Sequence, residues 1–277
     1  MNNNPLAGYF RQPAIHMTLP SQGNFYPDGS LEMSSTGELP VFPMTALDEI
    51  TYRTPDALFN GSALVDVIKS CIPAIIDPWE MPGMDMSAVM ANIRIASFGH
   101  FMDIDTKCPK CGEESTYQLD LRKIVDSLRV PDYATPAKFG DITVFFRPLS
   151  YKTINENNKV NFQEQQLNKV IADKDMAEDE KIKQMSTAFK KISRYTLDTM
   201  VGNINSIDTP DASVTEKEYI LDFLSNCDRE LYKKIKDQII ELRSVTDIKP
   251  LRIICDNDEC KYEYKQPFTM DMTTFFE

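Results

Sequence analysis

Apolar residues recur at helical spacing between residues 62 and 96 and predict two helices there. The first apolar stripe begins near Ser62 and is ended by Pro73, and its members are Leu64, Val67, Ile68 and Cys71. The second helix is expected to begin after Asp85 as its N-cap and to place Met86, Val89, Ile93 and Ala96 on one face. Residues 78–83 lie between the two patterns and predict a loop, because two prolines and a glycine interrupt the segment.

A longer region, residues 151–245, is polar and carries apolar residues at steps of three and four. Its two clearest stripes are Ile182, Met185, Phe189 and Ile192, and then Leu231, Ile235, Ile239 and Leu242. Thr215 and Glu218 form a capping-box pattern that favours a helix start just before Tyr219. We expect this region to be a helical bundle inserted between two strand-rich parts.

Strand patterns occupy the segments on either side of that region. Alternation over residues 101–105, a segment around Tyr117 that ends at Asp120, and the apolar residues 142–146 predict three strands before it. Residues 251–254 and a segment with Tyr262 and Tyr264 predict two more after it. The sequence therefore indicates an α+β protein.

Residues 1–55 are expected to be an extended arm, because prolines punctuate the stretch and exclude a long helix, among them Pro5, Pro13, Pro20, Pro27, Pro40 and Pro43. Short strands are possible at residues 17–19 and 39–42, on the two sides of a tight turn at residues 27–29. Such a segment could wrap over its own core or over a neighbouring subunit. Its aromatic residues Phe10, Phe25, Tyr26 and Phe42 could anchor it in a partner's grooves.

The strongest chemical signal is a pair of cysteine motifs, Cys108-x2-Cys111 and Cys255-x4-Cys260. Each motif follows an apolar strand and precedes a tyrosine-bearing one, as a metal-binding knuckle does. Two such pairs complete a tetrahedral four-sulfur site of the kind that zinc prefers, and we expect one structural zinc per chain. The alternatives are four unbound thiols, or a redox pair at Cys108 and Cys111.

A zinc ion held by both motifs would form a split zinc-ribbon-like β unit, although 144 residues separate Cys111 from Cys255. This predicts three parts. They are an N-terminal arm over residues 1–55, an α+β core over 56–150 together with 246–277, and a helical insertion over 151–245. Lys107, Lys110 and Lys261 flank the cysteines and could offset the charge of four thiolates.

The other candidate ligands are expected to be structural. Cys71 lies on an apolar helical stripe and Cys227 follows Phe223 and Leu224, so both are expected to be core thiols. His100 could replace a missing ligand, but four cysteines already suffice, and His16 is expected at the surface.

Composition narrows the classes of function. The net charge of −12 disfavours a protein that coats nucleic acid and favours protein partners. The sequence contains no phosphate-binding loop, dinucleotide fingerprint, nucleophile elbow or HExxH motif, so we expect no enzyme and no small-molecule substrate. It also shows no secretory signal and no apolar run of the ~20 residues that span a membrane, which favours reduced cysteines.

Several sequence phrases resemble the T4-like family of phage baseplate hub and hub-assembly proteins. They are LPSQGNFY at residues 19–26, VFPMTALDE at 41–49, RTPDALFNG at 53–61, Ile72-Pro73 and the Cys108/Cys111 knuckle. The resemblance implies a non-enzymatic subunit that binds other baseplate and hub proteins, in the host cytoplasm during assembly or in the tail of the virion. The alternative is a zinc-ribbon accessory protein that binds nucleic acid.

Overall fold

The computed structural model describes residues 5–54, 61–171, 186, 194–270 and 275–276. The chain divides into two compact units. Unit 1 comprises Met1–Pro78, Met84–Arg129 and Thr246–Glu277, and unit 2 comprises Trp79–Gly83 and Val130–Val245.

The described strands form small antiparallel sheets. In chain order they are β1 (Ile15–Thr18), β2 (Glu38–Val41), β3 (Phe101–Lys107), β4 (Glu114–Asp120), β5 (Ala137–Phe139), β6 (Ile142–Phe146), β7 (Ile204–Asp208), β8 (Ser213–Val214), β9 (Leu251–Ile254) and β10 (Glu263–Gln266). In unit 1, β1 pairs with β2, β3 with β4, and β9 with β10; in unit 2 the sheet order is β5-β6-β7-β8. The α+β class is confirmed.

Some of the described α-helices lie at predicted stripes, whereas residues 46–52, in the expected extended arm, and residues 121–127 are helical where no helix was predicted. The described α-helices are α1 (Ala46–Tyr52), α2 (Ser62–Cys71), α3 (Met86–Phe98), α4 (Leu121–Ser127), α5 (Tyr151–Ile171), α6 (Lys217–Asn226) and α7 (Arg229–Ser244). A further helical segment covers residues 194–202. All four members of the α2 stripe are at most 2% exposed, so the apolar pattern of that helix is confirmed.

The N-terminal segment packs into unit 1 rather than remaining free of it. Leu19, Leu39 and Val41 are at most 2% exposed. Arg11 donates to Ser70 O at 2.7 Å and lies 3.2 Å from Asp48 of α1. The segment therefore wraps over its own core, which was one of the two alternatives for it.

Asp85 fixes the loop before β2 through hydrogen bonds to its side chain. Its fully buried carboxylate accepts hydrogen bonds from Ser21 N at 2.8 Å, from Ser21 Oγ at 2.5 Å and from Tyr26 Oη at 3.1 Å. Burial raises the pKa of Asp85, although the hydrogen bonds from Ser21 and Tyr26 act in the opposite direction. Asp85 precedes α3 as predicted, but its side chain does not cap that helix.

Unit 2 has its own apolar core between the four-stranded sheet and two helices. Val144 and Ile207 of the sheet pack with Ile220 of α6 and with Ile235 and Ile239 of α7. The buried positions of α7 confirm the centre of its predicted stripe. The predicted stripe at residues 182–192 lies outside the described residues.

The prediction of an entirely helical region at 151–245 is wrong at β7 and β8. The pairing of β6 with β7 shifts register, so that Phe145 faces Ser206 while Phe146 faces Ile204. With this irregularity Ile204 and Ile207 are both buried although they lie three positions apart in sequence, a spacing that imitates a helix. The strand therefore lacks the strict alternation by which a sequence reveals it.

Candidate metal centre

The two cysteine motifs lie at the turns of two hairpins in unit 1. Cys108 directly follows β3, and its N–H donates to Glu113 O at 2.8 Å. Cys255 directly follows β9, and its N–H donates to Tyr262 O at 3.0 Å. Glu113 and Tyr262 each immediately precede the returning strand, so the two knuckles begin in the same way.

The two knuckles also end alike. Gly112 follows Cys111 with φ of 78°, and Lys261 follows Cys260 with φ of 42°. A left-handed residue after the second cysteine turns the chain back toward its partner strand. Gly112 suits this position because it has no Cβ, whereas Lys261 adopts it without that advantage.

The hairpins bring all four predicted sulfur atoms together. Cys111 Sγ lies 3.5 Å from Cys255 Sγ, and Cys108 Sγ lies 3.9 Å from Cys260 Sγ. All four sulfur atoms lie within 4.8 Å of one another. A tetrahedron with metal–sulfur bonds of ~2.3 Å has edges of about 3.8 Å, so the donor set fits one tetrahedral ion.

Each hairpin contributes one buried and one more accessible thiol. Cys108 and Cys255 are each 2% exposed, whereas Cys260 is half-buried and Cys111 is exposed. The cluster thus faces the core on one side and solvent on the other.

A buried hydrogen bond joins the hairpins next to the sulfur atoms. The Oη of Tyr264 in β10 donates to Thr106 Oγ1 of β3 at 3.0 Å, and both side chains are buried. Thr106 Oγ1 in turn donates to Ser115 O of β4 at 3.1 Å. The role of Thr106 could not be predicted, because nothing in the sequence pattern indicates which strand faces β10.

The lysines around the cluster are engaged with other side chains. Lys107 pairs with Glu114 at 2.9 Å and Lys261 pairs with Asp258 at 2.7 Å. Lys110 lies over the ring of Tyr262 at 5.6 Å, which links the first knuckle to the second.

Backbone N–H donors lower the pKa of the two buried thiols, whereas burial raises it. Burial acts to raise the pKa of Cys108, but the backbone N–H groups of Cys111 and Lys110 outweigh it and lower the pKa to about 7. Burial raises the pKa of Cys255 to about 12, and the neighbouring thiols add to that effect.

The remaining candidates do not join the cluster. Cys71 is fully buried on α2, and burial raises its pKa to about 12, as suits a core thiol. Cys227 is only half-buried, and its thiol lies 3.7 Å from Leu224 O. His100 contacts the ring of Phe101, and His16 is exposed as predicted.

Comparison with known proteins gives one finding. A sequence model of the family described as "T4 bacteriophage base plate protein" matches residues 44–277. Searches of curated proteins and of solved structures give no match. The matched range contains all four clustered cysteines. Among the described residues, no helix is both long and apolar enough to cross a membrane.

Proposed function

The chain belongs to the T4 bacteriophage base plate protein family, and we propose that it is a non-enzymatic structural or assembly subunit of the central hub of a contractile-tail baseplate. The observation that carries this proposal is the family match over residues 44–277. Membership in this family supports other phage baseplate proteins as its partners. The chain would meet them in the host cytoplasm during assembly and, if it is retained, in the tail of the virion.

A structural zinc ion is part of this proposal, with Cys108, Cys111, Cys255 and Cys260 as its ligands. Support comes from the sulfur–sulfur distances of 3.5 and 3.9 Å and from the matching turns of the two knuckles. Four thiolates around zinc leave no coordination position for water or substrate. The centre therefore favours a role in holding shape rather than in turnover.

The zinc would act as a clasp for the whole chain. It would tie residues near 108 to residues near 258 and so complete a split zinc-ribbon-like unit. The chain between these points would be an insertion whose two ends are joined by the zinc site. The separate apolar core of unit 2 supports treating it as an insertion. The division into an arm at 1–55, a core at 56–150 with 246–277, and an insertion at 151–245 stays a proposal.

Surface charge supports protein partners rather than nucleic acid. The exposed side chains of the first hairpin include Asp103 and Asp105 on β3 and Glu114 on β4. Carboxylates there would oppose phosphate groups, and the net charge of −12 acts in the same direction.

The N-terminal segment offers an apolar surface for such a partner. Leu6, Tyr9 and Phe10 are 62%, 87% and 57% exposed. The next residue, Arg11, is fixed to unit 1 through Ser70 and Asp48, so the segment starts from an anchored base. Exposed aromatic side chains on an anchored segment are suited to fill apolar grooves of a neighbouring subunit.

The test is co-purification of the tagged full-length protein with tail baseplate proteins from infected cells. The double substitution Tyr9→Ser with Phe10→Ser tests the apolar surface alone. Removal of residues 1–16 would also delete Arg11, which fixes the segment to unit 1, and part of β1. We expect the double variant to lose about tenfold or more of its binding to the partner, since each aromatic anchor contributes about 1–2 kcal/mol. Tyr219→Ser is the matched control, because Tyr219 of α6 is also exposed, at 66%, but does not belong to the N-terminal segment.

Two results would contradict different parts of the proposal. Absence of baseplate proteins from the wild-type complex would contradict the role in the hub. Equal recovery with the double variant would exclude the N-terminal surface while leaving that role intact. Mass spectrometry of purified particles then separates a virion subunit from an assembly factor.

A further inference from the structure

Two short sulfur–sulfur contacts join the two hairpins within the four-sulfur cluster. Cys111 of the first knuckle lies 3.5 Å from Cys255 of the second. Cys108 of the first lies 3.9 Å from Cys260 of the second. Among the described residues, all six cysteines are free thiols.

Each cross-hairpin pair, like the two thiols within each knuckle, combines an accessible sulfur atom with a buried one. In each pair one thiol can meet a solute and the other is shielded: Cys111 is exposed and Cys255 is 2% exposed, while Cys260 is half-buried and Cys108 is 2% exposed. An oxidant arriving from solvent would therefore react first at Cys111 or Cys260, and the resolving thiol would already be in contact.

We infer that oxidation by a peroxide replaces the metal with two cross-hairpin disulfides, Cys111–Cys255 and Cys108–Cys260, so that the same four sulfur atoms clasp unit 1 with or without the ion. This inference rests on the proposed role of the cluster as a metal clasp. The two disulfides would be a second, covalent way in which the four sulfur atoms hold the hairpins of unit 1 together.

The chemistry balances at each pair. The thiolate of Cys111 attacks hydrogen peroxide, which leaves a sulfenic acid on Cys111 and releases hydroxide. The thiolate of Cys255 then attacks that sulfur and displaces a second hydroxide, which takes up a proton as water. The hydroxide from the first step also takes up a proton, so two thiolates, two protons and one peroxide give one disulfide and two waters, and the peroxide accepts the two electrons. The metal leaves because its thiolate ligands are consumed.

The two hairpins are held together independently of the sulfur atoms. The hydrogen bond between Tyr264 and Thr106 and the contact of Lys110 with Tyr262 hold the two hairpins against each other without using a sulfur atom. The hairpins therefore have means to stay in contact while the ligands are being oxidised.

The test uses the purified full-length protein as isolated, treated with hydrogen peroxide in the presence of a chromogenic zinc chelator that reports metal release. Remaining thiols are blocked with N-ethylmaleimide, and the protein is cut with trypsin and Asp-N under non-reducing conditions. Trypsin separates Cys108 from Cys111 after Lys110, and Asp-N separates Cys255 from Cys260 before Asp256 and Asp258. Mass spectrometry then assigns each disulfide without ambiguity.

We expect peptides that link Cys111 to Cys255 and Cys108 to Cys260. A cross-hairpin bond closes a loop of 144 or 152 residues, so the oxidised chain should also migrate faster on a non-reducing denaturing gel. The variant Cys108→Ser with Cys260→Ser retains one cross-hairpin pair and should still show the shift. The variant Cys111→Ser with Cys260→Ser retains only the two buried thiols, Cys108 and Cys255, and should not.

Disulfides within the hairpins, Cys108–Cys111 and Cys255–Cys260, would overturn the inference, as would oxidation to sulfinic acids with no disulfide. Neither result would bear on zinc, because the chelator measures the metal independently. Conversely, cross-hairpin disulfides without released zinc would support the pairing while contradicting the metal clasp.

Discussion

At the scale of single residues, the environment decides what a side chain does more than its type does. Asp85 stands where a helix N-cap is expected, yet its buried carboxylate binds Ser21 and Tyr26 instead. Both partners lie in the segment LPSQGNFY, residues 19–26, which carries part of the family resemblance. That segment therefore owes part of its structure to one carboxylate 59 to 64 positions away.

Asp85 gives a prediction for the pH dependence of stability. Burial raises its folded-state pKa above the ordinary value of 3.8, so the folded chain holds this proton more tightly than the unfolded chain does. Its stabilising contribution is complete below pH 3.8 and is lost as the pH rises through the folded-state pKa. We therefore expect the free energy of unfolding of the wild type, relative to Asp85→Asn, to decrease as the pH rises over that window.

Urea unfolding curves of both proteins at several pH values measure this difference. Other groups, the clustered thiols included, contribute nearly equally to both proteins and cancel. Asp103→Asn, which removes an exposed strand carboxylate, is the control for the loss of one negative charge. A constant difference between wild type and Asp85→Asn would contradict the assignment.

At the scale of elements, local patterns identify most helices and strands but not every boundary. The apolar stripe of α2 and the strand β6 lie where the sequence predicts them, because their periodicity is regular. The capping box at Thr215 is wrong: α6 begins after Glu216 and has no side-chain cap. By contrast, Asp228 caps α7 by accepting from Glu230 N at 2.9 Å and Leu231 N at 3.0 Å.

This contrast predicts different effects for two similar substitutions. Asp228→Ala removes an acceptor from two backbone donors and should lower the free energy of unfolding by about 1 kcal/mol. Thr215→Ala removes no cap, and its effect should stay within about 0.5 kcal/mol. Both residues are exposed, so burial does not confound the comparison. Equal losses measured by chemical denaturation would show that the start of α6 is capped after all.

At the scale of the whole molecule, the proposed clasp closes a very long loop. The two knuckles are 144 residues apart at Cys111 and Cys255, yet their sulfur atoms are in contact. An ion bound there would remove much of the freedom of the unfolded chain and would add its binding free energy to folding. Unit 1 contains all four ligands, so the main effect of metal loss belongs to that unit.

Metal analysis and unfolding together test the clasp. Purified protein should contain about one zinc per chain, and Cys255→Ser should lose the metal and more than about 3 kcal/mol of stability. Cys227→Ser, which lies outside the cluster, should keep the metal and lose less than about 1 kcal/mol. Chelation of the wild type should increase hydrogen exchange in β3, β4, β9 and β10. Native protein without zinc, or equal effects of the two substitutions, would refute the clasp.

The sequence by itself determined the α+β class, the regular helices and strands, and which four cysteines belong together. These follow from short-range periodicity and from the spacing of each knuckle, which neighbouring residues fix locally. Only the tertiary structure decided that Asp85 anchors the LPSQGNFY loop, that Thr106 meets Tyr264, and that Cys111 contacts Cys255. Each of those contacts joins residues between 59 and 158 positions apart, and no local pattern encodes which distant partner a side chain will meet.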